Sequence, residues 1–339
     1  MDRTSFEFNE SDIKIEKEYD KYILSEDLKK NLTLGLGITD RCNLSCPMCY
    51  YREHETKNKS NSICLDNIEL ILSDLKGIGS ILIGLEGEPL CHKNFSSILK
   101  VCSLYTKKIC IVSNGLLLTE RLINSMNEYN VTNLILSCDG SNKEYYEKIR
   151  VGGDFSVFLQ KATMARRYYN GQLSIHSVIS NQNIKDIHNL PKLASELGIN
   201  TISLAQLRQN SWCEKNSFFR VALNQLKNEI EKLVDAACSK QIHLIFDNLF
   251  ANRELNKWLV EKFSKKTYVK IPHFEICVSP WNFVSILSDG RLFPCCGDIE
   301  PIKINQYNFN SIFNNPLLLK LRKALKSEVP EVCVKCLYL

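Results

Sequence analysis

ITDRCNLSCPMCYYREHE, residues 38–55, sets three cysteines, Cys42, Cys46 and Cys49, in a C-x3-C-x2-C spacing. It directly follows LTLGLGIT (32–39), which reads as the first strand, although its two glycines weaken a strand on propensity alone. Where parallel strands alternate with helices, ligands bind beyond the carboxyl ends of the strands. The three thiols therefore stand where a ligand belongs. Three do not complete a four-cysteine zinc site or a fully protein-ligated iron–sulfur cluster. The identity of the missing ligand decides the reading.

Outward from this loop, short apolar runs recur: SILIGLE (80–86), KICIVSN (108–114), NLILSCD (133–139), LSIHSVIS (173–180) and NTISLAQ (200–206). Amphipathic stretches lie between them, such as LDNIELILSDLKGI with apolar residues at Leu65, Ile68, Ile71, Leu72 and Leu75. NLPKLASELG ends at Gly198, a helix stop. Alternating strands and helices predict an α/β fold with a parallel sheet, because each parallel crossover needs a helix. Six units predict an open or partial (β/α)6 barrel over residues 34–210, preceded by a polar lead-in at 1–33. Residues 211–272 read as a connector holding a long helix, FFRVALNQLKNEIEKLVDAACSKQ, and a strand, IHLIFD. Residues 273–339 read as a small cysteine-rich unit: a β-hairpin turning at Ser288-Asp289-Gly290, the helix PLLLKLRKALKS, and a terminal CVKCLYL.

The chain has 339 residues, enough to bury a core without disulfide staples. Lys and Arg number 43 against 38 Asp and Glu, a net +5 spread along the sequence, so nucleic acid is not indicated as a partner. The acidic start, MDRTSFEFNESDIKIEKEYD, is no signal peptide, and no apolar run reaches the roughly 18 residues of a membrane span. A cytoplasmic location is expected. Fifteen cysteines there point to metal ligands, catalytic thiols or small buried residues rather than disulfides. No G-x-G-x-x-G follows a strand, so nicotinamide chemistry is not indicated.

Two readings fit the first loop. It holds a 4Fe–4S cluster through three irons, with the fourth open to a ligand that arrives with the substrate, or it is a zinc loop completed by a partner such as His54. C-x3-C-x2-C after the first strand of a partial (β/α)6 barrel resembles the radical S-adenosylmethionine (SAM) superfamily. The resemblance implies that SAM supplies an amine and a carboxylate to the open iron. It further implies that one electron cleaves SAM to methionine and a 5′-deoxyadenosyl radical. Met48 stands where the family usually has an aromatic. GLEGEPL (84–90) resembles the family's Gly-Gly-Glu-Pro element, with Glu86 in place of its first glycine. Glu88 would then accept from the SAM amine, and Gly87 would allow close backbone approach. The resemblance also places Ser113 and Asn114 of SNG, and Ser137 and Asp139 of SCDG, near the ribose and the methionyl group. It sets Arg150 against the SAM carboxylate, and His176 and Gln206 beside the adenine.

Cys277, Gly290 and Cys295, in a C-x12-G-x4-C spacing, are followed by Cys333-x2-Cys336. This pattern resembles the Twitch domain, a shortened SPASM domain, and implies that these four cysteines bind one auxiliary 4Fe–4S cluster completely. A four-cysteine zinc ribbon has the same spacing. Of the other cysteines, Cys102, Cys110, Cys138 and Cys238 read as buried small residues. Cys213 and Cys296 are candidate hydrogen-atom donors.

An auxiliary cluster that accepts an electron from a substrate radical makes the net reaction a two-electron oxidation. The leading expectation is dehydrogenation of a sugar or aminocyclitol alcohol. Epimerisation with a cysteine donor and modification of a ribosomally made peptide are the alternatives, and the short lead-in speaks against a built-in peptide-recognition domain. A non-catalytic iron–sulfur or zinc protein is the alternative of another class. The resemblance implies a small-molecule or peptide substrate and a flavodoxin or ferredoxin as reductant.

Overall fold

The structure, a computed structural model, describes residues 30–49, 61–207, 221–246, 253–271, 279–294, 299 and 301–327. Six strands follow one another at the expected places: β1 (Thr33–Leu36), β2 (Ser80–Ile83), β3 (Ile109–Ser113), β4 (Val131–Ser137), β5 (Gln172–Ile179) and β6 (Thr201–Gln206). Each runs parallel to the next. The helices between them are α1 (Leu65–Leu72), α2 (Phe95–Ser103), α3 (Glu120–Glu128), α4 (Lys143–Ile149), α5 (Phe155–Tyr168) and α6 (Leu190–Glu196). Side chains start several of them. Thr119 accepts from Leu122 N–H at α3, and Asp154 accepts from Ser156 and Val157 N–H at α5. Gly198, at φ +67°, takes the left-handed conformation just past α6.

The sheet continues beyond these six strands. After α7 (Leu223–Lys240), β7 (His243–Phe246) pairs parallel with β6; after α8 (Arg253–Phe263), β8 (Val269–Lys270) pairs parallel with β7. The strand read from IHLIFD thus extends the barrel sheet. At the other edge, α9 (Ser279–Asn282) leads into β9 (Phe283–Ile286), which lies parallel to β1, and β10 (Leu292–Phe293) returns antiparallel to it. α10 (Phe309–Phe313) and α11 (Pro316–Ser327) follow. Among the described residues the result is one ten-stranded sheet, β10-β9-β1-β2-β3-β4-β5-β6-β7-β8, with β10 and β8 at its edges.

The two faces of the sheet differ. On one, Leu34, Leu36, Ile81, Ile83, Ile109, Ile111, Leu134, Leu136, Ile175, Ile202 and Leu204 are buried and join one apolar core. Each such side chain contributes roughly 1.5–3 kcal/mol, which makes this face the main source of stability. On the other face, residues in register across the strands are small, polar or only half-buried. Gly35, Leu82 and Cys110 form one row, and Ser137, His176 and Ser203 form another. A surface left open by one face of a curved parallel sheet is where a ligand fits.

The two glycines that weakened the reading of β1 have a packing reason. A Cβ on Gly35 would lie 2.4 Å from Ser285 Oγ and 2.5 Å from Leu85 Cδ1. β1 is bare at this point so that β9 and the loop after β2 can close over it. Among the described residues no helix is long and apolar enough to cross a membrane.

Candidate active site

The cysteine loop leaves the carboxyl end of β1 and is tied down on three sides. Glu88 N–H donates to Arg41 O at 2.7 Å, Asn114 Nδ2 to Asn43 Oδ1 at 2.8 Å, and Ser45 N–H to Val151 O at 2.8 Å. Within the loop, Cys49 N–H donates to Cys46 O at 3.1 Å and Leu44 N–H to Cys42 Sγ at 3.4 Å. Cys42 is exposed, Cys46 buried and Cys49 half-buried, so the loop presents its thiols from buried to open. Burial raises the pKa of Cys46, and the charge of Arg150 works against that rise.

Glu88 is buried and gathers the strand ends around itself. Its Oε1 accepts from Ser113 Oγ at 2.7 Å and from Leu90 N–H at 3.1 Å, and its Oε2 from Asn114 N–H at 2.7 Å. Burial raises its pKa, opposed by these three donors and by Arg150. Gly87, at φ +57°, lies against the cysteine loop: a Cβ there would meet Thr39 O at 2.4 Å and Arg41 O at 2.6 Å. This loop therefore packs backbone to backbone on the thiol loop, an approach that only glycine permits. His92 fastens its far end, with Nδ1 accepting from Asn94 N–H at 3.1 Å and Nε2 facing Ile63 O at 3.0 Å.

Asp139 and Arg150, singled out separately in the sequence, form a pair at 2.6 Å between Asp139 Oδ2 and Arg150 Nη2. Asp139 Oδ1 also accepts from Val178 N–H at 2.7 Å. Arg150 is thus engaged by Asp139, while its buried Nε has no hydrogen-bond partner among the described residues. Among the same residues the buried hydroxyl of Tyr146 also lacks one. Unmet donors beside a buried thiol, three soft sulfurs on one loop and a glycine cradle fit an iron–sulfur cluster with an anionic ligand group.

His176 lies in β5 with Nδ1 2.8 Å from Ser203 Oγ, in the same register row as Ser137. Gln206 ends β6. Ser137 and His176 share the open face of the sheet, whereas Gln206, paired with Ile179, falls in line with Ile202 and Leu204 at the strand's carboxyl end. His54, Cys213, Cys277, Cys295, Cys296, Cys333 and Cys336 lie outside the described residues. Cys102 and Cys138 are buried as expected, whereas Cys110 and Cys238 are only half-buried.

Sequence reasoning missed two contacts. One is Asn43, inside the cysteine loop, which holds Asn114. The other is Glu86, which had been noted only as a departure. Its buried carboxylate Oε2 accepts from Ser288 N–H at 2.7 Å, across 202 positions of chain. Burial raises its pKa, the Ser288 donors lower it, and Asp289 and Asp40 raise it.

Comparison with known proteins matches residues 36–194 to the radical SAM superfamily and residues 277–337 to an iron–sulfur cluster-binding domain, SPASM. A probable GTP 3′,8-cyclase of Methanocaldococcus jannaschii is 24% identical over 78% of this chain and 84% of its own length. A PqqA peptide cyclase of Rhodopseudomonas palustris is 22% identical over 78% of this chain and 67% of its own. Among solved structures, Streptococcus suis SuiB bound to its precursor peptide SuiA superposes with a TM-score of 0.67. It is 16% identical and covers 95% of this chain and 74% of its own. The expected α/β architecture with a C-terminal SPASM unit is borne out, and the sheet is open in the described residues.

Proposed function

The chain belongs to the radical SAM superfamily and carries a SPASM iron–sulfur domain, and from that premise we propose that it modifies a peptide at an unactivated C–H bond. It is an enzyme of that superfamily with a SAM-binding 4Fe–4S cluster and an auxiliary cluster. With SAM bound, that cluster would pass on one electron from the reductant, cleaving SAM to methionine and a 5′-deoxyadenosyl radical able to abstract hydrogen. Cys42, Cys46 and Cys49 are the ligands of that cluster, and Cys277, Cys295, Cys333 and Cys336 those of the auxiliary one. Glu88 has three acceptor directions filled by Ser113, Leu90 and Asn114. A carboxylate offers roughly four, which leaves one for the SAM amine. Arg150, its charge secured by Asp139, would offer the SAM carboxylate its Nε, which has no partner among the described residues. Ser137 and His176 line the open face against the nucleoside and the substrate, and Gln206 stands at the carboxyl end of β6 beside the adenine.

The observation that carries the peptide reading is the company the chain keeps. The PqqA peptide cyclase aligns over most of the chain, and SuiB, solved with a precursor peptide, shares its fold. None of the proteins compared above carries out, by its name, the dehydrogenation of a sugar or aminocyclitol alcohol that the sequence suggested first. The likeness to a GTP cyclase supports a second reading, closure of a ring on a small molecule. Both readings place the reaction in the cytoplasm with a flavodoxin or ferredoxin as electron source.

The test is co-expression with any short open reading frame found beside the gene, followed by mass spectrometry of each peptide. Loss of two hydrogen atoms from one peptide, abolished by Cys46→Ala, supports a peptide cross-link or dehydrogenation. Unchanged peptides, with 5′-deoxyadenosine formed only when nucleotides are added, would overturn the peptide reading in favour of the small-molecule one. A mass unchanged in H2O but raised by one deuterium in D2O marks epimerisation, for which Cys213 and Cys296 are the donors to test.

A further inference from the structure

The Gly-Gly-Glu-Pro-like element and the β9–β10 hairpin are joined by one buried hydrogen bond, from Ser288 N–H to Glu86 Oε2 at 2.7 Å. Three features show that this contact is built in. Gly37 sits under it: a Cβ there would lie 2.6 Å from Glu86 Oε2, 3.1 Å from Leu287 Cα and 3.1 Å from Ser288 N. Gly37 N–H in turn donates to Ile286 O at 2.7 Å, extending the β1–β9 pairing up to the same point. Gly290, at φ +82°, makes the turn that directs Ser288 N–H inward, and Tyr307 Oη donates to Gly290 O at 3.0 Å from the other side. A carboxylate stands where the resembling family has a glycine, and a glycine stands just past β1 where that carboxylate needs room.

We propose that Glu86 is a positioning residue that locks the β9–β10 hairpin, and with it the start of the C-terminal cysteine-rich segment, onto the SAM-motif loop. The chain position of Glu86, two residues before Glu88, makes one short loop answer to both sites. Glu88 N–H holds the cysteine loop through Arg41 O at 2.7 Å, and Glu86 holds the hairpin. Any shift of the hairpin therefore pulls on the loop that shapes the SAM site. A charged acceptor suits this task because its bond to a buried N–H is stronger than a neutral one. The inference rests on this contact and not on which substrate the enzyme takes.

The test is hydrogen exchange on the full-length, anaerobically reconstituted protein, comparing wild type with Glu86→Ala, Glu86→Gln and Gly37→Ala. In Glu86→Ala and Gly37→Ala, exchange within 284–293 should quicken about tenfold or more, while 109–113 in β3 stays as protected as in wild type. Glu86→Gln keeps an oxygen acceptor and should restore protection to within about threefold. A second readout is the auxiliary cluster's reduction potential in a Cys42→Ala/Cys46→Ala/Cys49→Ala background, which should move in Glu86→Ala and return in Glu86→Gln. Unchanged hairpin exchange in Glu86→Ala overturns the proposal, as does Glu86→Gln behaving like Glu86→Ala. Loss of protection in β3 as well would show general unfolding and also overturn it. If the triple-cysteine background holds no iron, the auxiliary-cluster reading fails by itself, and the exchange data still decide the lock.

Discussion

Replacing Glu88 by alanine should destabilise the protein before any question of SAM binding arises. The side chain is 2% exposed, and Ser113 Oγ, Leu90 N–H and Asn114 N–H all point at it. Ser113 can rotate to another acceptor, but the two backbone N–H groups cannot. Each buried donor left unmet costs about 1–3 kcal/mol. Relief of the buried carboxylate, whose pKa burial already raises, offsets part of this. A net loss of roughly 3–4 kcal/mol follows. Glu88→Gln keeps Oε1 for Ser113 and Leu90 but turns an NH2 group toward Asn114 N–H. It should cost about 2 kcal/mol, one unmet donor plus a donor–donor contact. Urea unfolding of the anaerobic protein, followed by far-UV circular dichroism, measures both. A Glu88→Ala variant within about 0.5 kcal/mol of wild type, the range of ordinary surface substitutions, would refute the convergence of donors on this carboxylate.

Gly84→Ala should yield no folded protein, because at φ +107° its Cβ would sit 2.0 Å from the backbone oxygen of Val112. Gly77→Ala, at φ +81° with open space around it, should cost only about 1–2 kcal/mol from the left-handed backbone; soluble yield and melting curves separate the two. Arg150→Met strands the fully buried Asp139 side chain and should cost about 3–5 kcal/mol, a loss that adding Asp139→Asn partly restores, as a double-mutant cycle would show. His92 is held neutral: burial lowers its pKa below 6.5, and its Nδ1 accepts from Asn94 N–H. Because the unfolded chain binds the proton more readily, this contribution is complete above pH 6.5 and falls away as pH drops toward the folded value. Urea midpoints between neutral and mildly acid pH should show that slope in wild type and a shallower one in His92→Gln.

What the sequence disclosed and what it hid follow from the range of the interactions involved. The strands at 80–83, 109–113 and 131–137 were legible because a parallel strand packed by helices writes itself as a short, near-continuous apolar run, a local pattern. The three thiols and Glu88 were legible because their spacing is local too. The pairing of β9 with β1 was not, since partners some 250 positions apart leave no periodic trace. The glycines of β1 looked like a flaw in a strand, and only Ser285 and Leu85 packed against Gly35 show their purpose. Asp139 and Arg150 were both picked out, but each for SAM; their mutual pairing depends on how the loop after α4 folds back. Glu86 stood out as the wrong residue in a motif, and its partner Ser288 belongs to a segment read as a separate unit.

The most direct test of the open-iron site is electron paramagnetic resonance of the anaerobically reconstituted, dithionite-reduced protein before and after SAM is added. In a Cys277→Ala/Cys295→Ala/Cys333→Ala/Cys336→Ala background, one reduced 4Fe–4S signal should remain, shift when SAM binds, and vanish on further Cys46→Ala substitution. A signal indifferent to SAM, or zinc in place of iron at Cys42, Cys46 and Cys49, would contradict it.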